Sequence, residues 1–142
     1  MISSPVVSVG YERRSVHELV EILAGHRVGK LLDVREAPIS RRKGFSKTAL
    51  ASLLEDVGIE YLHLRLAGNP YHREKQNIER CLRRYARYLV DNPEVVETFA
   101  AELSRKPVAV LCYERQHDNC HRSVLLEAVK RSGHRINVIK VE

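Results

Sequence analysis

The chain is expected to form a single α/β domain, with a mostly parallel sheet of about five strands and helices on both faces. Three observations lead there. Short apolar runs alternate with amphipathic helical patterns from end to end, the sequence form of a sheet built with crossover helices. A length of 142 residues suits one domain with a continuous core and is short for two. Capping residues, glycines and prolines punctuate the segments, and no low-complexity stretch or linker interrupts them.

Val6-Val7-Ser8-Val9-Gly10 reads as the first strand. Ser15-Val16-His17-Glu18 then has the form of a capping box, and Val16, Leu19, Val20 and Leu23 recur at helical spacing until Gly25 offers a stop. Lys30 to Arg35 is the second strand. It leads into a polar, basic loop through Pro38, Arg41, Arg42, Lys43 and Gly44. Ser46 is placed to cap a second helix with Ala49, Leu50, Leu53, Leu54 and Val57 on its apolar face, closed by Gly58.

Ile59 to Leu64 follows as a third strand, and Arg65 to Arg73, with Gly68, Asn69 and Pro70, reads as a loop. From about Glu74 to Val90 the pattern is helical, with Ile78, Leu82, Tyr85 and Leu89 on one face. Asn92-Pro93 restarts a helix, Asn as cap and Pro at its first position, which turns Val96, Phe99, Ala100 and Leu103 inward until Pro107. A strand at 107–112, a polar loop, a helix of roughly Arg122 to Arg131 stopped by Gly133, and a strand from Ile136 to Val141 complete the chain.

The bulk numbers narrow the partners. There are 24 Lys+Arg against 18 Asp+Glu, a formal charge of +6, and arginine dominates the cations. Such a balance favours an anionic partner, a small molecule or a nucleic acid. With no Trp and two Phe, a base-stacking platform would be thin. Three cysteines at uneven spacing, and an opening that lacks a basic region followed by an apolar run, point to a reducing cytoplasm rather than a disulfide framework. No apolar run reaches the roughly 18 residues that span a bilayer, so no membrane partner is expected.

In open parallel sheets the ligand crevice lies beyond the carboxyl ends of the strands. The residues there are Tyr11, Arg13 and Arg14 after the first strand; Asp33, Arg35 and Arg41-Arg42-Lys43 after the second; His63, Arg65 and Asn69 after the third; and the loop from Cys112 to Arg122 after the fourth. One edge is therefore expected to be cationic and to carry thiols and imidazoles. Asp33 and Arg35, two apart, fall on one side of their strand and read first as an ion pair orienting the basic loop.

The loop after the fourth strand carries the chemistry. Cys112 closes an apolar strand, where a nucleophile would be backed by loop amides and by Arg115, His121 or Arg122; a small buried packing residue is the plain alternative. Cys120-His121-Arg122 opens a helix, whose dipole lowers a thiol pKa and favours anions. His121 could move a proton and Arg122 could clamp an oxyanion, with Glu114 beside them. A reversible Cys112–Cys120 disulfide is a minor option. Cys112, His117, Cys120 and His121 offer metal donors, yet without paired Cys-x-x-Cys no metal is expected, and no cofactor is called for.

The chain resembles a family catalogued as domain of unknown function 488. The likeness rests on the strand into Gly10 with Arg14-Ser15; on Leu32-Asp33-Val34-Arg35 with Pro38, Ser40 and Arg41; on Phe45-Ser46-Lys47; on Gly58 to Leu64; and on Cys112, Glu114, Cys120, His121 and Arg122. It covers nearly the whole chain. It implies the fold and marks these residues, and it brings no reaction. Gly10-Tyr11-Glu12 departs from the family's pattern, as does the stretch from Leu66 to Arg73. A looser likeness joins the same segments to rhodanese-like domains.

Two function classes follow. The first is a small cytoplasmic enzyme using Cys112 or Cys120 on an anionic or sulfur-bearing substrate held by Arg122, Arg35 and Arg41. The second is a nucleic-acid or nucleotide-binding module that uses the same edge, including Arg13, Arg14, Arg42 and His63, with structural cysteines. A plain interaction domain is the remaining reading.

Overall fold

The computed structural model describes residues 3–73 and 76–142. In chain order the elements are β1 (Ser4–Gly10), α1 (Val16–Gly25), β2 (Lys30–Asp33), α2 (Lys47–Asp56), β3 (Glu60–His63), α3 (Ile78–Asp91), α4 (Pro93–Ala100), β4 (Val108–Cys112), α5 (His121–Arg131) and β5 (Ile136–Val141). The five strands form one sheet in the order β3-β2-β4-β1-β5, and every pairing is parallel.

Pleating divides the strand side chains between two cores. Val7, Val9, Leu31, Ala109 and Leu111 face Leu19 and Leu23 of α1 and Leu50 and Leu54 of α2. On the other face Val6, Leu32, Val108, Val110 and Cys112 meet Tyr85, Leu89, Val96, Phe99, Leu125 and Val129 of α3, α4 and α5. A strand buried on both faces needs no alternation, and β4 is buried along its whole length.

This division follows the strand order. The chain leaves β1 through α1 toward β2 and β3, then returns through α3 and α4 to insert β4 between β2 and β1. From β4 it continues through α5 to β5 on the far side. Neighbouring β1 and β4 thus send their connections to opposite faces, and a crevice opens between their carboxyl ends.

Several elements differ from expectation in detail. β2 ends at Asp33 rather than Arg35, because the Asp33 carboxylate accepts the backbone N–H and the guanidinium of Arg35 and curls the chain. Ser15 and Glu18 form both halves of the capping box. Ser46 occupies the N-cap position but exchanges its bonds with Ser40, which closes the basic loop instead. On α2 only Leu50 and Leu54 are buried, and Val57 is exposed. Asn92 stands at the head of α4, yet its amide donates to the Tyr88 carbonyl at the end of α3. The helix expected from Glu74 begins at Ile78, capped by Asn77; Glu74 itself lies outside the described residues.

Candidate functional site

The crevice is a cavity of about 610 Å³. Tyr11 and Glu12 line it from β1, Arg35 to Ala37 and Ile39 from β2, Asn69 and His72 from the loop after β3, and Ile78, Cys81 and Leu82 from α3. Cys112 to Glu114, Gln116, Asn119 and His121 line it from the β4–α5 connection.

That connection is held tightly. Backbone pairing between β1 and β4 continues past the strands, Tyr11 N–H to the Cys112 carbonyl at 3.2 Å and Glu12 N–H to the Tyr113 carbonyl at 2.9 Å. Gly10 permits this approach: a Cβ there would lie 1.8 Å from the Glu114 carbonyl oxygen. Glu12 accepts the Arg115 N–H, and the Nδ1 of buried His117 lies 2.6 Å from the Ser8 hydroxyl.

Cys112, Cys120 and His121 meet at the floor. Cys120 is the N-cap of α5 in an extended conformation, so it escapes the 100° offset that would separate adjacent side chains within a helix. His121 Nδ1 lies 3.7 Å from Cys112 Sγ and 3.6 Å from Cys120 Sγ, and the three atoms lie within 4.8 Å of one another. Among the described residues this is the one set of three that could hold a metal ion. His121 Nε2 is 2.8 Å from the Val34 carbonyl. A carbonyl only accepts, so Nε2 carries a proton. Tyr85 packs edge-on against the imidazole at 5.0 Å and donates to the Ala67 carbonyl.

The two sulfurs are electrostatically unequal. The hydrogen bond to Cys120, together with burial, pushes the Cys112 thiol well above its ordinary value. For Cys120 burial acts in the same direction, but the Cys112 hydrogen bond, the His121 charge and the Arg122 guanidinium overcome it and hold that thiol well below. His121 is raised: burial opposes its charge, and the Cys120 thiolate and the Val34 carbonyl outweigh burial. Burial, then the charge of Cys120, raises Glu114. Cys112, Cys120 and Cys81 are free thiols.

Arg122 is fully buried. Its Nη2 donates to the Glu114 carbonyl, while its Nε and Nη1, and Oε2 of Glu114, have no partner among the described residues. Asp33 and Arg35 form the ion pair expected from their spacing, at 2.7 Å. Arg35 also donates to the Phe45 carbonyl and to Tyr11, which uses nearly all its donors.

The cationic rim is less concentrated than the strand-end inventory implied. Cys112, Glu114, His121 and Arg35 line the cavity; Cys120, Arg122 and Asp33 are buried beside or behind those residues. The fold does not bring Arg13, Arg14, Arg41, Arg42 or His63 into the lining. Arg14 binds the carbonyls of Gly10 and Glu142, and Arg42 binds the Arg14 carbonyl. His63 Nε2 lies 2.7 Å from the Arg35 carbonyl. Arg13 and Arg41 are exposed. Loop closure, not ligand approach, claims Arg14 and Arg42.

Sequence reasoning passed over the α3 wall, Ile78, Cys81 and Leu82. Their i, i+3, i+4 spacing marks one helix face, and with Ile78 44% exposed that face continues past the core to the crevice. Cys81 accepts from the Asn69 amide and donates to the Tyr71 carbonyl.

An open parallel α/β sheet with thiols and an imidazole at its switch point defines the class. Residues 15–129 match the family described as domain of unknown function DUF488, and the chain belongs to it. No curated protein and no solved structure matches. No helix among the described residues is long and apolar enough to cross a membrane.

Proposed function

We propose that the protein is a small cysteine-dependent enzyme acting on an anionic or sulfur-bearing molecule in the crevice. One observation carries this reading: Cys112 Sγ ends a buried strand at the cavity floor, with a second thiol and an imidazole beside it. The Cys112 sulfur attacks the electrophilic atom of the substrate as its proton passes to the Cys120 thiolate, which the His121 charge stabilises. The group displaced leaves with the bonding electron pair and takes that proton back. The N-terminus of α5 favours a substrate with negative charge. Three free thiols suit a reducing, cytoplasmic setting. Phosphate binding by the wider basic edge has less support, since Arg14 and Arg42 are engaged in loop contacts.

The test uses reduced, metal-free protein. Iodoacetamide is expected to modify Cys112 before Cys81 and Cys120, and the protein to turn over thiosulfate with cyanide as acceptor or para-nitrophenyl phosphate. Cys112→Ser is expected to lower that rate at least about 100-fold, the scale of a lost nucleophile rather than a displaced contact. Turnover of neither probe, with Cys112 alkylated no faster than Cys81, overturns the reading.

A further inference from the structure

We infer that Cys112 Sγ, Cys120 Sγ and His121 Nδ1 form a three-ligand site for a borderline-soft divalent cation of the zinc type, its fourth position open to the crevice. This goes beyond the thiol reading and does not depend on it.

Two edges of the triangle fit a coordination face. With Zn–S about 2.3 Å and Zn–N about 2.0 Å, a tetrahedral site has a sulfur-to-nitrogen edge of about 3.5 Å and a sulfur-to-sulfur edge of about 3.8 Å. The two observed sulfur-to-nitrogen edges are 3.6 and 3.7 Å, and the sulfurs lie within 4.8 Å of one another. Both sulfurs converge on one nitrogen. In the metal-free chain Cys112 hydrogen-bonds to Cys120 and Cys120 to His121, whereas a cation at the centre would be bonded by all three donor atoms at once.

The surroundings agree. Nε2–H is committed to the Val34 carbonyl, which fixes the tautomer that leaves Nδ1 free to ligate and orients the ring as outer-shell partners of metal-bound histidines do. Tyr85 holds the ring from the side. Two sulfurs and one imidazole are a donor set suited to zinc rather than to magnesium or calcium. Cys112 and His121 line the cavity, so the missing vertex faces the space from which water or a substrate atom would come. Glu114, with an unpartnered buried Oε2, lines the same space. Binding releases two protons to solvent, one from the Cys112 thiol and one shared by Cys120 and His121 Nδ1, and no electron is exchanged.

The test is titration of the reduced, chelator-treated full chain with zinc in competition with a chromophoric chelator, and with cobalt(II) as spectroscopic stand-in. One ion per chain is expected, with sulfur-to-cobalt charge-transfer absorption and the visible bands of tetrahedral cobalt. Cys112→Ser, Cys120→Ser and His121→Ala each lower zinc affinity by more than about 100-fold, exceeding the ~10–100-fold cost of losing an outer-shell partner, while Cys81→Ser does not. In the unmutated chain, zinc protects Cys112 and Cys120 from alkylation and leaves Cys81 as it was, a readout that does not depend on any variant folding. Less than one zinc per chain, cobalt bound without the charge-transfer band, or unchanged affinity in Cys112→Ser overturns the site. Zinc binding without turnover by the metal-free chain would sink the thiol reading alone; turnover without zinc binding would sink this inference alone.

Discussion

Two buried charged corners stand side by side at the ends of β2 and β4, and they are finished very differently. At the end of β2, Asp33 and Arg35 satisfy one another, and Tyr61, Tyr11 and the Phe45 carbonyl take up the remaining groups. Burial works against the Arg35 charge, yet its bonds to Asp33 hold its pKa above the ordinary range. At the end of β4, Glu114 and Arg122 retain buried atoms with no partner among the described residues. A corner built for stability closes its hydrogen bonds, because each orphan buried polar group costs about 1–3 kcal/mol. The β4 corner keeps such orphans where two thiols and an imidazole gather. This contrast separates a structural ion pair from a site prepared for something else.

Mutation should reproduce the contrast. The largest loss belongs to Asp33→Ala, which leaves the Arg35 charge buried and unpaired; urea denaturation should report a destabilisation of about 3–5 kcal/mol. Equal stability of this variant and the parent would erase the distinction between the corners. Arg122→Met is expected to cost about 1–2 kcal/mol in the same assay, because one charged hydrogen bond is lost while two unsatisfied donors disappear with it. A cost matching that of Asp33→Ala would make Arg122 an ordinary structural cation.

The smallest effect is that of Glu114→Gln, and it changes with pH. Burial raises the Glu114 pKa in the folded chain, so the metal-free folded state holds that proton more tightly than the unfolded state. The resulting penalty is absent below the unfolded value, sets in as pH rises above it, and is fully present once pH exceeds the folded pKa. Glu114→Gln should therefore be more stable than the parent at neutral pH and lose that advantage as pH falls toward 4.5. A stability difference that does not vary between those limits would remove the case for a strained carboxylate.

Much of this organisation is legible in residue order, and particular elements say why. The Ser15–Glu18 capping box is a four-residue event, complete within its own segment, and it forms as read. The Asp33–Arg35 pair is likewise local, two residues apart on an extended chain. Ser46 and Asn92 were harder, because a cap side chain can choose among partners that local spacing does not reveal: a serine six residues away for one, the preceding helix for the other. The supposed cationic edge shows the same limit. Arginines at strand ends share an edge in the inventory, yet Arg14 and Arg42 turn to backbone carbonyls, because a guanidinium near a loop satisfies whichever acceptors the loop offers.

Sequence by itself determined the α/β class, the order of strands and helices along the chain, and the stretch that brings two thiols and an imidazole to the crevice, since periodicity, caps and strand ends are all set within a few residues. Tertiary structure alone decided that β4 enters between β2 and β1, that the Val34 carbonyl just past β2 orients His121, and that an extended Cys120 turns its sulfur toward Cys112. Those outcomes depend on contacts between segments as far apart as Val6 and Val108, and which distant groups meet is fixed by the packing of the whole sheet rather than by any local preference.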